Sequence, residues 1–128
     1  MEILKIITLS LSGLLLFFVG MMRLIKPIKT YLKNSGIKIE NDVNLLNEMR
    51  GVSSLMLLAG AIILLGTFIP EFALTSHSFA ILLFIGFAIG RIISIGVDGK
   101  PNKQIIQGLI FELVFGIANI FCLFTILT

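Results

Sequence analysis

The sequence has 128 residues, of which 57% are hydrophobic and only 13% are charged, against roughly 25% charged residues in soluble domains. A soluble domain of this length leaves too much surface in water to bury so many apolar side chains, and the same composition excludes intrinsic disorder. The single cysteine excludes a disulfide scaffold. The composition therefore indicates one domain that crosses a membrane several times.

Four apolar stretches follow one another along the chain, and each is long enough to cross a bilayer as a helix. None alternates with a period of two, as the strands of a membrane barrel do. The first stretch ends without a small-residue cleavage site, so we expect it to be retained. The sequence predicts an all-α fold, an antiparallel bundle of four transmembrane helices at about residues 3–25, 43–69, 79–97 and 105–128.

The segments that join these helices differ in charge, and the difference predicts their orientation. A basic loop covers residues 26–42, and the turn at residues 98–104 adds two lysines, whereas residues 70–78 contain no lysine or arginine. Because basic loops stay in the cytoplasm, we expect both basic segments on the cytoplasmic side of the cell membrane and both termini on the outer side. This signal accounts for the net charge of +3 without a nucleic-acid partner.

Two features of the basic loop predict local structure. Asn41 and Asp42 are typical N-cap residues, so the second helix should begin at Val43 and project from the membrane. Residues 28–33 fit either a short amphipathic helix on the inner leaflet or a solvated loop.

Small residues recur at helix-packing spacing on the last two predicted helices. Gly86 and Gly90, followed by Ser94, form one such stripe, and a second consists of Gly108, Glu112, Gly116 and Asn119. Such stripes let helices approach closely. Packing within the bundle is the simpler interpretation, and an oligomer through either stripe is the alternative. The second stripe should direct Glu112 toward a neighbouring helix.

Charged side chains gather at the predicted cytoplasmic ends of the helices. Arg91 precedes the turn near Pro101 by about ten residues and Glu112 follows it by about ten, so the two should lie at one depth and pair. A second tier nearer the interface should complete a ligand-binding or ion-pair cluster of Asn47, Glu48, Arg50, Arg91, Ser94, Asp98 and Glu112. Arginines in this number favour an anionic group, and a purely structural ion pair is the alternative.

No arrangement of residues is typical of catalysis or of a cofactor site. His77 is the only histidine, and we expect it in the outer turn, far from the charged cluster, so metal and haem sites lack a ligand set. Cys122 has no thiol partner and should be a buried apolar residue. We therefore expect no enzymatic activity, no cofactor and no metal.

Three features together resemble a known family. They are the motif N-E-M-R-G at residues 47–51, the motif G-R-x-x-S-x-x-x-D-G at residues 90–99, and Glu112. The sequence in this respect resembles the domain of unknown function 4345 family, small four-helix membrane proteins of bacteria, and more distantly the DoxX-like four-helix membrane proteins. The resemblance implies a membrane fold and a place in the bacterial inner membrane, and it implies no activity.

Two functional hypotheses follow from these residues. The first is a non-enzymatic binding or accessory protein whose charged cluster forms an inner-leaflet pocket for a lipid headgroup or a small anionic amphiphile. The second is a small proton- or ion-coupled transporter in which Glu112 is the titrating group. The pairing of Glu112 with Arg91 distinguishes the two hypotheses, because an exporter's glutamate must be free to exchange protons for substrate. A structural or assembly subunit is a third alternative.

Overall fold

Five α-helices and one 3₁₀ turn account for most of the chain. The computed structural model describes residues 1–128 and contains no strand. All helices except the second are long and apolar enough to cross a membrane, so the prediction of an all-α bundle of four long apolar helices is confirmed. The helices are α1 (Glu2–Ile25), α2 (Pro27–Ser35), α3 (Val43–Phe68), α4 (Ala73–Asp98) and α5 (Lys103–Leu127), with the 3₁₀ turn at Pro70–Phe72.

Capping residues explain where several helices begin and end. The Asp42 side chain accepts a hydrogen bond from the backbone N–H of Leu45, which confirms the predicted cap of α3. Asn102 caps α5 in the same way through the N–H of Ile105. Gly36 ends α2 with φ 66°, a left-handed conformation that favours glycine. Of the two alternatives for the basic loop, the short helix is the one formed.

The predicted outer turn at residues 70–78 is wrong over most of its length. Only Pro70–Phe72 forms a turn, and α4 begins at Ala73. The segment lies between two apolar stretches of the sequence and was therefore expected to be a turn, yet the Ser76 hydroxyl donates to the Ile62 carbonyl of α3 at 2.9 Å. Because such hydroxyls find backbone acceptors within the bundle, a polar segment continues as a membrane-embedded helix.

The helices pack as two close pairs, α1 with α3 and α4 with α5, and α3 packs on α4 to join the pairs. We call the end of the bundle that carries α2 and the α4–α5 turn the basic end, and the end that carries Met1, the 3₁₀ turn and Thr128 the terminal end. Helices α1 and α5 contact each other much less than the members of either pair do. Their side chains meet toward the terminal end, where Asn119 donates to Ser12 at 3.0 Å.

Glycines bring the backbones of α1 and α3 into direct contact. A Cβ atom added at Gly60 would lie 2.5 Å from the backbone nitrogen of Phe17, and one added at Gly20 would lie 2.7 Å from the backbone nitrogen of Leu57. Nothing but hydrogen fits at these two positions. This close approach, which small residues allow between membrane helices, fixes the position of α1.

Most glycines of the two stripes predicted from spacing do not lie against a neighbouring helix. No atom lies within 4 Å of a Cβ added at Gly86, Gly90 or Gly108, so the predicted packing of these residues within the bundle is wrong. Gly116 does pack closely, against Ile85 of α4. Spacing identifies a small face on a helix, but it does not tell which face meets a neighbour.

The contact between α1 and α3 makes a testable prediction. Gly60→Ala should lower the free energy of unfolding by about 1–3 kcal/mol, because the added methyl group overlaps the α1 backbone. Gly86→Ala is the matched control, since its methyl group meets open space and alanine favours a helix by up to ~1 kcal/mol. Thermal unfolding in detergent measures both, and equal melting temperatures would contradict the contact.

Candidate functional site

A cavity of about 510 Å³ lies inside the bundle at the basic end, and all five helices line it. Its walls are apolar on the side toward the terminal end, where Leu16 and Phe84 reach it from the buried core. Its polar groups come from the ends of the helices and from α2. They are Arg23, Tyr31, Asn34, Ser35, Arg91, Gln104, Gln107 and Glu112.

An ion pair between α4 and α5 forms one wall of this cavity. The Arg91 Nε donates to Glu112 Oε1 at 2.8 Å, and the two side chains are 30% and 12% exposed. The helical hairpin brings the residues to one depth, as their equal distance from the turn indicates. The terminal nitrogens of Arg91 donate no hydrogen bond to the protein, so its guanidinium retains donors for another acceptor.

Arg23 at the end of α1 is a second cation in the cavity, and sequence reasoning counted it only as an orientation signal. Its guanidinium lies 4.4 Å from the Tyr31 ring centroid and donates to Ser35 Oγ at 3.5 Å. Its Nε is buried without a partner, and no carboxylate lies within ion-pair distance. The spacing of Arg23 in the sequence could have indicated its place in the cavity, because it follows the buried Leu16 by seven residues, two helical turns, and so lies on the same face of α1.

Charge in the cavity is therefore unbalanced. Two arginines, Arg23 and Arg91, face one carboxylate, Glu112. A positive group away from water is costly unless it is paired, and guanidinium groups bind carboxylate or phosphate oxygens with two parallel hydrogen bonds. The lining of the cavity therefore carries one more arginine than it has carboxylates.

The other residues of the predicted cluster lie outside the cavity. Ser94 donates to Asp98 at 2.9 Å on the exposed surface of α4, and Arg50 donates to the Leu24 carbonyl at the end of α1. Asn47 and Glu48 are exposed on the first turns of α3. Of the seven residues, the structure brings only Arg91 and Glu112 together in the cavity. Distance from a turn fixes the depth of a residue, but not the direction in which it points around its helix.

Helix α2 forms a roof over the cavity at the basic end. The carbonyl of Ser35 accepts a hydrogen bond from Asn102 at 2.8 Å, and that of Lys33 accepts one from Gln104 at 2.9 Å. At the other end of α2, the Thr30 hydroxyl donates to the Met22 carbonyl of α1 at 3.0 Å. Helix α2 is thus attached to both α1 and α5, which contact each other only slightly.

A second polar group lies at the terminal end, away from the cavity. His77 is fully buried in α4, which corrects its expected place in the outer turn, and its Nδ1 lies 2.8 Å from Asn119 Oδ1 of α5. Asn119 in turn donates to Ser12 of α1. This chain of hydrogen bonds joins three helices, and no group of three metal-ligating side chains occurs in the structure. Cys122 is buried as expected.

The fold and the cavity define a small polytopic membrane protein with a basic site at one end of a four-helix bundle. The model of the family described as Domain of unknown function (DUF4345) matches residues 3–123, and the chain belongs to that family. The resemblance drawn from the sequence is thereby confirmed, while the DoxX-like likeness and the bacterial origin stay predictions. No curated protein and no solved structure matches significantly.

The ion pair makes a prediction about stability. Glu112→Gln should destabilise the detergent-solubilised protein more than Arg91→Gln, because it leaves two arginines without a carboxylate, and arginine cannot lose its charge whereas a carboxylate can take up a proton. The loss should be about 3 kcal/mol or less, since ~3–5 kcal/mol applies to a fully buried pair and Arg91 is partly exposed.

Thermal unfolding of both single variants and of the double variant checks this prediction. The double Arg91→Gln, Glu112→Gln change should recover much of the loss, because it removes the Arg91–Glu112 pair as a whole and leaves neither of its members charged and alone. Glu48→Gln is the matched control, an exposed carboxylate at the same end with no ion pair. Strictly additive losses would mean that the two side chains do not interact.

Proposed function

We propose that this protein is a non-enzymatic binding protein of the cell membrane, and that its cavity at the basic end holds an anionic headgroup between Arg23 and Arg91. The observation that carries the proposal is the excess of two guanidinium groups over one carboxylate in a single cavity. The volume of about 510 Å³ lies within the range of ~300–1,000 Å³ typical of small-molecule sites.

The donors in the cavity support recognition of carboxylate or phosphate oxygens. The terminal nitrogens of Arg91 remain unused beside the bond to Glu112, and the Arg23 Nε is buried without a partner. The amides of Asn34 and Gln107 add neutral donors to the same lining. An anion held by these groups would offset the second positive charge.

The pairing of Glu112 favours binding over catalysis and over proton-coupled export. A general base or an exchanging carboxylate must be free to take up a proton and to meet its substrate. Glu112 is the only carboxylate in the cavity, and it accepts a hydrogen bond from Arg91 at 2.8 Å. Its role in the proposal is to orient Arg91 toward the ligand.

The proposal places the basic end of the bundle in the cytoplasm and both termini outside the cell. The lysines of α2 and of the α4–α5 turn support this orientation through the positive-inside rule. Lys29 and Lys33 are exposed on α2, where they suit the anionic surface of the inner leaflet. The cavity would then open at the level of the inner-leaflet headgroups.

Cysteine labelling in intact cells tests the orientation. In a Cys122→Ser background, Glu71→Cys should react with a membrane-impermeant maleimide, and Lys38→Cys should react only after permeabilisation. Both positions are exposed in the structure, so access alone does not separate them. The opposite labelling pattern would place the basic end outside and contradict the proposal.

Native mass spectrometry of the detergent-solubilised protein tests anion binding. Phosphatidylglycerol should bind with one equivalent per chain, and phosphatidylcholine should bind much more weakly. Arg23→Gln and Arg91→Gln should each weaken binding about tenfold or more, since a hydrogen bond to a charged group contributes ~1.5–3 kcal/mol. Arg50→Gln is the matched control, an arginine at the same end outside the cavity.

A parallel titration with inorganic phosphate separates a membrane lipid from a free anion. Binding of phosphatidylglycerol but not of phosphate assigns the site to a lipid headgroup. Binding of phosphate alone, with the same dependence on Arg23 and Arg91, assigns it to a soluble anion. Binding of neither probe, or equal binding to all three arginine variants, would overturn the proposed function.

A further inference from the structure

An apolar groove lies on the surface of the bundle next to the cavity. Its volume is about 500 Å³, and its seven lining residues, all apolar, come from α1 and α5. Leu15, Val19 and Phe111 line both the groove and the cavity. The two spaces are therefore adjacent, and these three side chains separate them.

The groove lies between α1 and α5, which contact each other much less than α1 contacts α3 or α5 contacts α4. Helix α1 is held against α3 by the glycine contacts, and α5 packs on α4. The hydrogen bond from Asn119 to Ser12 holds α1 and α5 together nearer the terminal end. Since both helices span the membrane, the opening between them faces hydrocarbon, while α2 covers the cavity on the side of the water.

The dimensions of the two spaces match an extended chain in one leaflet. From Arg23 to Leu11, the groove residue farthest from the basic end, α1 rises about 18 Å at ~1.5 Å per residue. One leaflet of hydrocarbon is about 15 Å thick, half of a ~30 Å core. A chain whose charged head lies at Arg23 would run beside α1 in the direction that membrane lipids adopt.

We infer that the ligand is an anionic amphiphile with a single apolar chain, which reaches the cavity sideways between α1 and α5 and leaves its chain in the groove. This inference rests on the proposed function, because the two arginines hold the head. The groove is bounded by side chains of only two helices, so one extended chain lies between them. A second chain would remain outside, on the lipid-facing surface.

A series of three phosphates with the same head tests the inference. Glycerol 3-phosphate has no chain, 1-palmitoyl lysophosphatidate has one and dipalmitoyl phosphatidate has two. Native mass spectrometry should give an apparent affinity for the one-chain compound at least about tenfold above that for glycerol 3-phosphate, because its chain leaves water for an apolar groove. The two-chain compound should bind more weakly than the one-chain compound.

A fluorescence measurement locates the chain, since the protein has no tryptophan of its own. In Phe18→Trp, the new indole lies in the groove, and one equivalent of lysophosphatidate with a brominated chain should quench it to saturation. Leu82→Trp is the matched control, an exposed apolar position on α4 outside the groove, and the same equivalent should leave it largely unquenched.

The remaining outcomes distinguish a failure of this inference from a failure of the proposed function. Equal affinities for glycerol 3-phosphate and lysophosphatidate, both lowered in Arg91→Gln, would overturn the single-chain ligand and leave the anion site standing. Binding of phosphatidate as tight as that of lysophosphatidate would also overturn it. If native mass spectrometry detected a dimer of the protein, and Phe18→Trp abolished that dimer, the groove would be assigned to a second copy of the chain and the inference would be overturned. Binding of none of the three phosphates would overturn the proposed function itself.

Discussion

The direct contact between the backbones of α1 and α3 determines the shape of the remaining structure. With glycine at positions 13, 20 and 60, the two helices approach until main-chain atoms touch. Helix α1 contacts α3 much more extensively than it contacts α5. The cavity and the groove are both lined by α1 and α5, so the site is formed by the helices of the bundle and not by a separate domain.

The charges of the site depend on this geometry and on α2. Arg23 is carried into the cavity because it shares a face of α1 with Leu16, and α2 then supplies the Tyr31 ring and the Ser35 hydroxyl that hold its guanidinium. Neither group neutralises it. Arg91 is oriented by Glu112 instead. The two cations are thus held by different groups: Glu112 holds Arg91, and the Tyr31 ring holds Arg23. Only the charge of Arg91 is balanced by a carboxylate.

The sequence predicts those features that depend on neighbouring residues or on chain symmetry. Hydropathy and the cap at Asp42 locate the helices, and the hairpin brings Arg91 level with Glu112. Rotation about a helix axis is different, because it depends on which partner packs closest. That is why Asp98 lies on the surface and why Gly86 meets no neighbour. The place of His77 depends in the same way on distant residues: it lies between two apolar stretches of the sequence, but its hydrogen-bond partner Asn119 is 42 residues away.

The hydrogen-bond chain from His77 through Asn119 to Ser12 links α4, α5 and α1. It fastens the two helix pairs together near the terminal end, whereas at the basic end they are linked through α2 by the side chains of Asn102 and Gln104. The packing of α3 on α4 joins the same two pairs as well. Loss of the Asn102 and Gln104 side chains would therefore free α2 from the α4–α5 hairpin without separating the two pairs.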